Sequence, residues 1–164
     1  MAIEFPKPFS AISVFNQHQV EYIVVGAVAA VLQGAPITTY DLDVVHSRTP
    51  ENIQRLLLAL TNLQARYRDL TGCHLPANAG LLAATPGHNL FKTRYGSVDV
   101  LATVGAGRDY DSLFPDSFEM DIEGMRVRVL ELFAVIALKE AAGRDKDKWV
   151  LPILKQALLL RNKQ

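Results

Sequence analysis

Three aspartates carry the chemistry this chain is able to do. Asp41 and Asp43 sit one residue apart at the end of the segment GAVAAVLQGAPITTYDLDVV, and Asp99 lies inside a second apolar run, SVDVLATV. Acidic groups set among valines and leucines cost free energy unless something compensates the buried charge. A divalent cation is the most economical compensator. Side chains two apart on a strand leave the same face, and a neighbouring strand would bring the third carboxylate beside them. Such an all-oxygen set suits Mg2+, with Mn2+ as the alternative. Mg2+ takes oxygen ligands at about 2.0–2.1 Å and keeps waters and substrate phosphates as its other ligands. Two such ions about 3.5–4 Å apart can clamp the attacking and leaving oxygens of a phosphoryl displacement. Asp99 is the best candidate to take a proton from an attacking hydroxyl.

The elements around the aspartates follow from local pattern. Glu21 to Val25 reads as a buried strand and Val28 to Leu32 as an alanine-rich helix. Gly26 lies between them, where its backbone can approach a phosphate closely and the first helix amides favour an anion. Gly34-Ala35-Pro36 ends that helix. Thr38 to His46 is predicted as the second strand, with Asp41 and Asp43 on one face and Leu42 and Val44 on the other. Thr38 and Thr39 could position the strand or touch phosphate, and strand propensity alone explains them. Thr49 is a good N-cap before Pro50, and the helix they start is predicted to run to about Tyr67, burying Leu56, Leu57, Leu60 and Leu63.

The rest of the chain completes one α/β domain. Phe9 to His18 reads as a short amphipathic helix. Thr71 to Gly87, rich in Gly, Pro, Ala and Asn, reads as a long surface loop with one weak element near Leu81. Asn89 to Arg94 and Ser97 to Val104 read as strands around a tight turn at Tyr95-Gly96. Ser117 to Ile122 and Met125 to Leu130 form a hairpin around Glu123-Gly124. Glu131 to Ala142 is a helix capped by Gly143. Asp147 to Leu160 is the last helix, with Pro152 in its first turns. The predicted fold is a small mixed, twisted sheet flanked by helices, with residues 1–164 as a single domain that the C-terminal helices complete.

Bulk properties narrow the functional classes. With 17 basic and 17 acidic residues the net charge is +0, so no global basic field serves nonspecific nucleic-acid binding. Cys73 is the single cysteine, which excludes a disulfide framework and a cysteine-rich zinc site. The segment MAIEFPKPFSAISVF does not have the pattern of a signal peptide. The run from Tyr22 to Leu32 is too short to span a bilayer. These features read as a cytoplasmic protein with no membrane partner. Ser-hydrolase and phosphate-loop motifs are absent, and Gly105-Ala106-Gly107 is too short for a dinucleotide fingerprint.

The order of these residues resembles the signature of the DNA polymerase β-like nucleotidyltransferase superfamily. Gly26-Ala27, thirteen intervening residues, Asp41-Leu42-Asp43 and a later Asp99 follow its pattern. The tail ALKEAAGRDKDKWVLPIL is similar to the lysine helix and Gly-Arg turn of small bacterial members, the AbiEii-like toxins and minimal antibiotic nucleotidyltransferases. The likeness runs from about Tyr22 to Leu154. It implies transfer of a nucleoside monophosphate from an NTP to an acceptor, with release of pyrophosphate. Asp41, Asp43 and Asp99 would be the catalytic and metal-binding residues. Gly26, Ala27, Thr39, Lys139 and Arg144 would bind the nucleotide. The acceptor, whether small molecule, protein or tRNA, is left open, as is an antitoxin or a second copy as partner. Two positions depart from the pattern: Ala27 stands where glycine or serine is usual, and Ile37 where many small relatives carry arginine. Both favour the alternative of a nonenzymatic nucleotide-binding or partner-binding module.

Blander roles compete at several positions. Lys139 and Arg144 also suit a helix C-terminus or surface pairs with Glu140 or Asp145. Asp145 to Lys148 reads as a solvated helix start. His18, His46, His74 and His88 share no metal-ligand spacing, and His46 reads as structural. Trp149 is expected to anchor the last helix in the core. Lys92, Arg94, Arg126 and Arg128 would make a basic groove if the strands gathered them.

Overall fold

Hydrophobic alternation sets the strands, and the caps set the helices between them. The computed structural model describes residues 7–68, 74–84 and 87–164. In chain order the elements are α1 (Pro8–Gln17), β1 (Tyr22–Val25), α2 (Gly26–Leu32), β2 (Leu42–His46), α3 (Pro50–Asn62), β3 (Arg66–Tyr67), α4 (Ala79–Ala83), β4 (His88–Thr93), β5 (Gly96–Leu101), α5 (Tyr110–Leu113), a 3-10 turn (Phe114–Asp116), β6 (Ser117–Ile122), β7 (Met125–Leu130), α6 (Leu132–Ala142) and α7 (Asp145–Arg161). In the described residues seven strands form one mixed sheet, ordered β3-β4-β5-β2-β1-β7-β6. The β1–β7 and β2–β5 pairs are parallel, and the other neighbours are antiparallel.

Each face of the sheet has its own helices. Tyr22 and Val24 pair with His46 and Val44, so these four share one face. Phe15 of α1 packs on Tyr22 with ring centroids 5.3 Å apart, which places α1 on that side. α1 packs against α3, and α3 against α4. The opposite face carries Val25 and Asp43 and meets α6, which in turn packs against α2 and α7. Asn52, fully buried in α3, ties its helix to two strand ends. Its Nδ2 donates to the carbonyls of Glu21 and Ser47, and its Oδ1 accepts from the Glu21 amide at 2.7 Å.

The hairpin Ser117–Ile122/Met125–Leu130, the Thr49 cap and the left-handed Gly143 cap match the expectations from sequence. Other elements differ, each for a physical reason. The second strand starts at Leu42 rather than Thr38. β1 ends at Val25 opposite Asp43, and pairing with β5 begins only at Leu42, so residues 38–41 pair with neither neighbouring strand. The helix expected to reach Tyr67 stops at Asn62. Gln64 is left-handed (φ 54°), and Arg66 and Tyr67 pair instead with Lys92 and Phe91. Leu56, Leu60 and Leu63 are fully buried, whereas Leu57 is only partly so. α4, capped by the Asn78 side chain, is the element near Leu81. Residues 71–73 and 85–86 of the expected loop, Cys73 and the first six residues of the N-terminal segment lie outside the described residues.

Two expectations about side chains are overturned. Trp149 is 84% exposed on the outer face of α7 and anchors nothing. Pro152 does lie inside that helix, which begins at Asp145. The basic residues do not gather: β4, with Lys92, is separated from β7, with Arg126 and Arg128, by β5, β2 and β1. Arg94 donates to Asn62, and Arg126 and Arg128 pair with Glu119. Among the described residues no helix is long and apolar enough to cross a membrane.

His46 is structural, and it carries a pH dependence. It is fully buried. Nδ1 lies 3.1 Å from the Ser47 carbonyl, and Nε2 has no partner among the described residues. Burial lowers its pKa from the usual value, so the native state holds the ring neutral while the unfolded chain protonates below about pH 6.5. Stability contributed by the neutral ring is therefore complete above about pH 6.5 and declines as pH falls below it, by up to about 1.4 kcal/mol per pH unit. Urea unfolding of the parent and His46→Gln between pH 5 and 7.5 should show this slope in the parent and a flatter one in the variant.

Candidate active site

The Asp43–Asp99 pair follows from strand register. β2 and β5 run parallel with Asp43 directly opposite Asp99. In-register neighbours project from the same face, so the two carboxyls meet within hydrogen-bonding reach of one another. Burial pushes the Asp43 pKa up to about 7. The charge and hydrogen bond of Asp99 and the charge of Asp41 add to the rise, and Lys139 opposes it. Asp99 is also raised, first by burial, with the Arg68 guanidinium pulling the other way and Asp41 adding to the rise. Without a cation the pair therefore retains a proton near neutrality.

Gly26 is glycine for a reason its sequence position conceals. Its φ is +65°, a left-handed conformation, and a Cβ there would lie 2.5 Å from Asp43 Oδ2. The missing side chain is the space the carboxylate occupies. Asp43 is thus held between the carboxyl of its strand neighbour and a backbone that cannot accommodate a methyl group.

Gly26, Asp43, Asp99, Lys139 and Arg144 all line one cavity of about 720 Å³ between the sheet and α6. Val25, Leu90, Leu101, Val104 and Leu138 form its apolar wall. Asp41 is not among its lining residues. It precedes β2 and is exposed, although its charge is felt at both other aspartates. Ala27 and Thr39 do not line it either, and the Thr39 hydroxyl donates to the Asp41 carbonyl at 3.4 Å. Among the described residues no group of three or more acidic, His or Cys side chains stands ready to hold a metal. The converging pair fits a hard cation that completes its shell with water and phosphate oxygens.

Asp147 and Arg68 were not identified from sequence as part of this site. Asp147 is only 3% exposed. It accepts from Lys139 Nζ at 3.2 Å and from Arg144 Nε at 2.8 Å. Burial acts to raise its pKa, but the bonds from Arg144 and Lys139 prevail and hold the carboxyl below its usual range. It thereby fixes two cations at the cavity wall. The available signal was the spacing of Lys139, Arg144 and Asp147 across the Gly143 turn. Arg68 Nη2 forms an ion pair with Asp99 Oδ1. If Lys139 and Arg144 serve a bound nucleotide, Asp147→Ala should raise its KM about tenfold and cost about 1–3 kcal/mol of stability. Steady-state kinetics and urea unfolding check the two parts separately.

No family model matches the chain, and no curated protein matches it in sequence. Solved structures do. The Thermotoga maritima protein TM1012, whose name as a nucleotidyltransferase is itself provisional, superposes with a TM-score of 0.57 at 15% identity, over 91% of this chain and 94% of that one. The lincosamide antibiotic adenylyltransferase LnuA, determined with lincomycin bound, gives 0.63 at 12% identity over 91% and 94%. The antibiotic-resistance factor ANT(2'')-Ia gives 0.56 at 14% identity over 94% and 87%. The chain therefore has a nucleotidyltransferase-type fold.

Proposed function

We propose that this protein transfers a nucleoside monophosphate from an NTP to a hydroxyl-bearing acceptor. The observation that carries the reading is the register placing Asp43 opposite Asp99, on a fold shared with nucleotidyltransferases. Asp43 and Asp99 would hold Mg2+ or Mn2+, with Asp41 near enough to add charge. When bound, the cation supplies neutralisation of phosphate charge. Asp99, at the more open end of the pair, accepts the acceptor's hydroxyl proton. The acceptor oxygen bonds to the α-phosphorus as the bond to the β-phosphate bridging oxygen breaks, and pyrophosphate leaves. Lys139 and Arg144, fixed by Asp147, face the anionic chain from the α6 side.

A second reading, a nucleotide-binding module without turnover, is favoured by the exposure of Asp41 and by Ala27 and Ile37. A toxin role with an antitoxin partner in the cytoplasm extends the first reading and rests on the sequence resemblance alone. The test uses each α-labelled NTP with Mg2+ against tRNA, protein and aminoglycoside-like acceptors. Label should move to one acceptor with the parent and not with Asp43→Ala. Equal product from both proteins contradicts the assignment, while calorimetric NTP binding without transfer supports the module.

A further inference from the structure

Arg68 continues the pairing of β3 with β4 by one residue, because its amide donates to the Leu90 carbonyl at 2.9 Å. Leu90 pairs with Asp99, and Asp99 with Asp43. Arg68, Leu90, Asp99 and Asp43 therefore form one row across four strands, on one face. At its outer end the Arg68 guanidinium reaches across to Asp99 Oδ1. The arginine side chain is 34% exposed and that of Asp99 20%, so the pair sits at the rim, where water has access.

We propose that Arg68 is a built-in counter-ion of the site, and that Arg68 and a divalent cation exclude each other at Asp99 Oδ1. This rests on the reading of Asp43 and Asp99 as cation ligands. An oxygen already bonded to a guanidinium has less charge to offer a metal ion, and two cations on one carboxylate oxygen repel each other at short range. Arg68 also has somewhere to go. Its long, flexible stem lies beside Leu90, which is 39% exposed, and the head group withdraws to water without leaving a buried charge. Two states result. In one, Arg68 covers Asp99 and the cation is absent. In the other, the cation is seated and Arg68 is solvated. The ion pair thus sets a threshold cation concentration below which the site stays closed.

The test titrates Mn2+ alone into full-length parent, Arg68→Gln, Arg68→Ala and Asp43→Asn, following free Mn2+ by electron paramagnetic resonance. Both Arg68 variants should bind roughly tenfold more tightly than the parent, a figure reduced from the unscreened value because the pair is solvent-accessible. Their thermal midpoints should lie at or below the parent's in chelator and gain more than the parent's on adding Mn2+. A purely structural arginine would lower both midpoints alike. Equal or weaker Mn2+ binding by the Arg68 variants, with binding lost in Asp43→Asn, overturns this inference and leaves the cation site standing. No Mn2+ binding by any of the proteins, parent included, overturns the cation site and the counter-ion role together.

Discussion

Asp43→Asn should lower the proposed nucleotidyl transfer by on the order of 10³-fold or more, and in chelator at neutral pH it should leave the protein more stable than the parent. Both effects follow from one geometry. Asp43 is pressed between Gly26 and Asp99, with its pKa pushed up to about 7 by burial and by the neighbouring acid. An acid whose pKa is raised on folding favours the native state fully below its unfolded pKa, near 4. That contribution is lost as pH rises toward the folded pKa, by up to about 1.4 kcal/mol per pH unit. The metal-free parent should therefore weaken between about pH 4 and 7, and the asparagine, which does not titrate, should remove most of that slope. Asparagine keeps the shape but not the charge, so the proposed cation ligand is gone. Labelled-NTP transfer and urea unfolding in chelator read the two effects. Unchanged transfer contradicts the assigned role, and an unchanged slope contradicts the buried acid pair. His46 acts in the opposite sense over part of this window, so each slope is taken as a difference between parent and variant.

Gly26→Ala is the second large effect. The left-handed backbone costs an alanine about 1–2 kcal/mol. The new Cβ also meets Asp43 Oδ2 at 2.5 Å and its Cγ at 3.3 Å, so the carboxylate has to swing off its seat. Overpacking of this kind adds about 1–3 kcal/mol. Thermal or urea unfolding should show a total loss of about 2–5 kcal/mol. Displacement of one reacting-centre ligand should lower transfer on the order of 10²-fold. Gly34→Ala is the control. Gly34 also has a positive φ, +95°, but a Cβ there has nothing within 4 Å. It should cost the backbone strain and leave transfer near the parental level. Comparable activity losses in the two variants would show that Gly26 matters for its backbone alone.

The sequence made the centre of the site legible because that centre is written in local pattern. A glycine between a valine-rich strand and an alanine-rich helix, and acids inside alternating runs, specify faces without tertiary knowledge. The register Asp43↔Asp99 required only that the two runs be neighbours. What failed depended on partners distant in the chain. Thr38–Asp41 has the composition of a strand, but neither neighbouring strand pairs with it. Asp147 reads as one more charge in an alternating stretch, and only the packing of α6 against α7 buries it. Arg68 becomes part of the site through a two-residue strand that looks like the end of a helix. Trp149 reads as a core residue by type alone, whereas its position on α7 turns it outward.

The most direct test of the central claim, that Asp43 and Asp99 together seat a divalent cation, is a crystal grown with Mn2+ and a nonhydrolysable NTP. An anomalous peak is expected between the two carboxylates, with phosphate oxygens completing its coordination and Arg68 withdrawn from Asp99. A bound nucleotide with no peak there, or with Mn2+ held elsewhere, contradicts it.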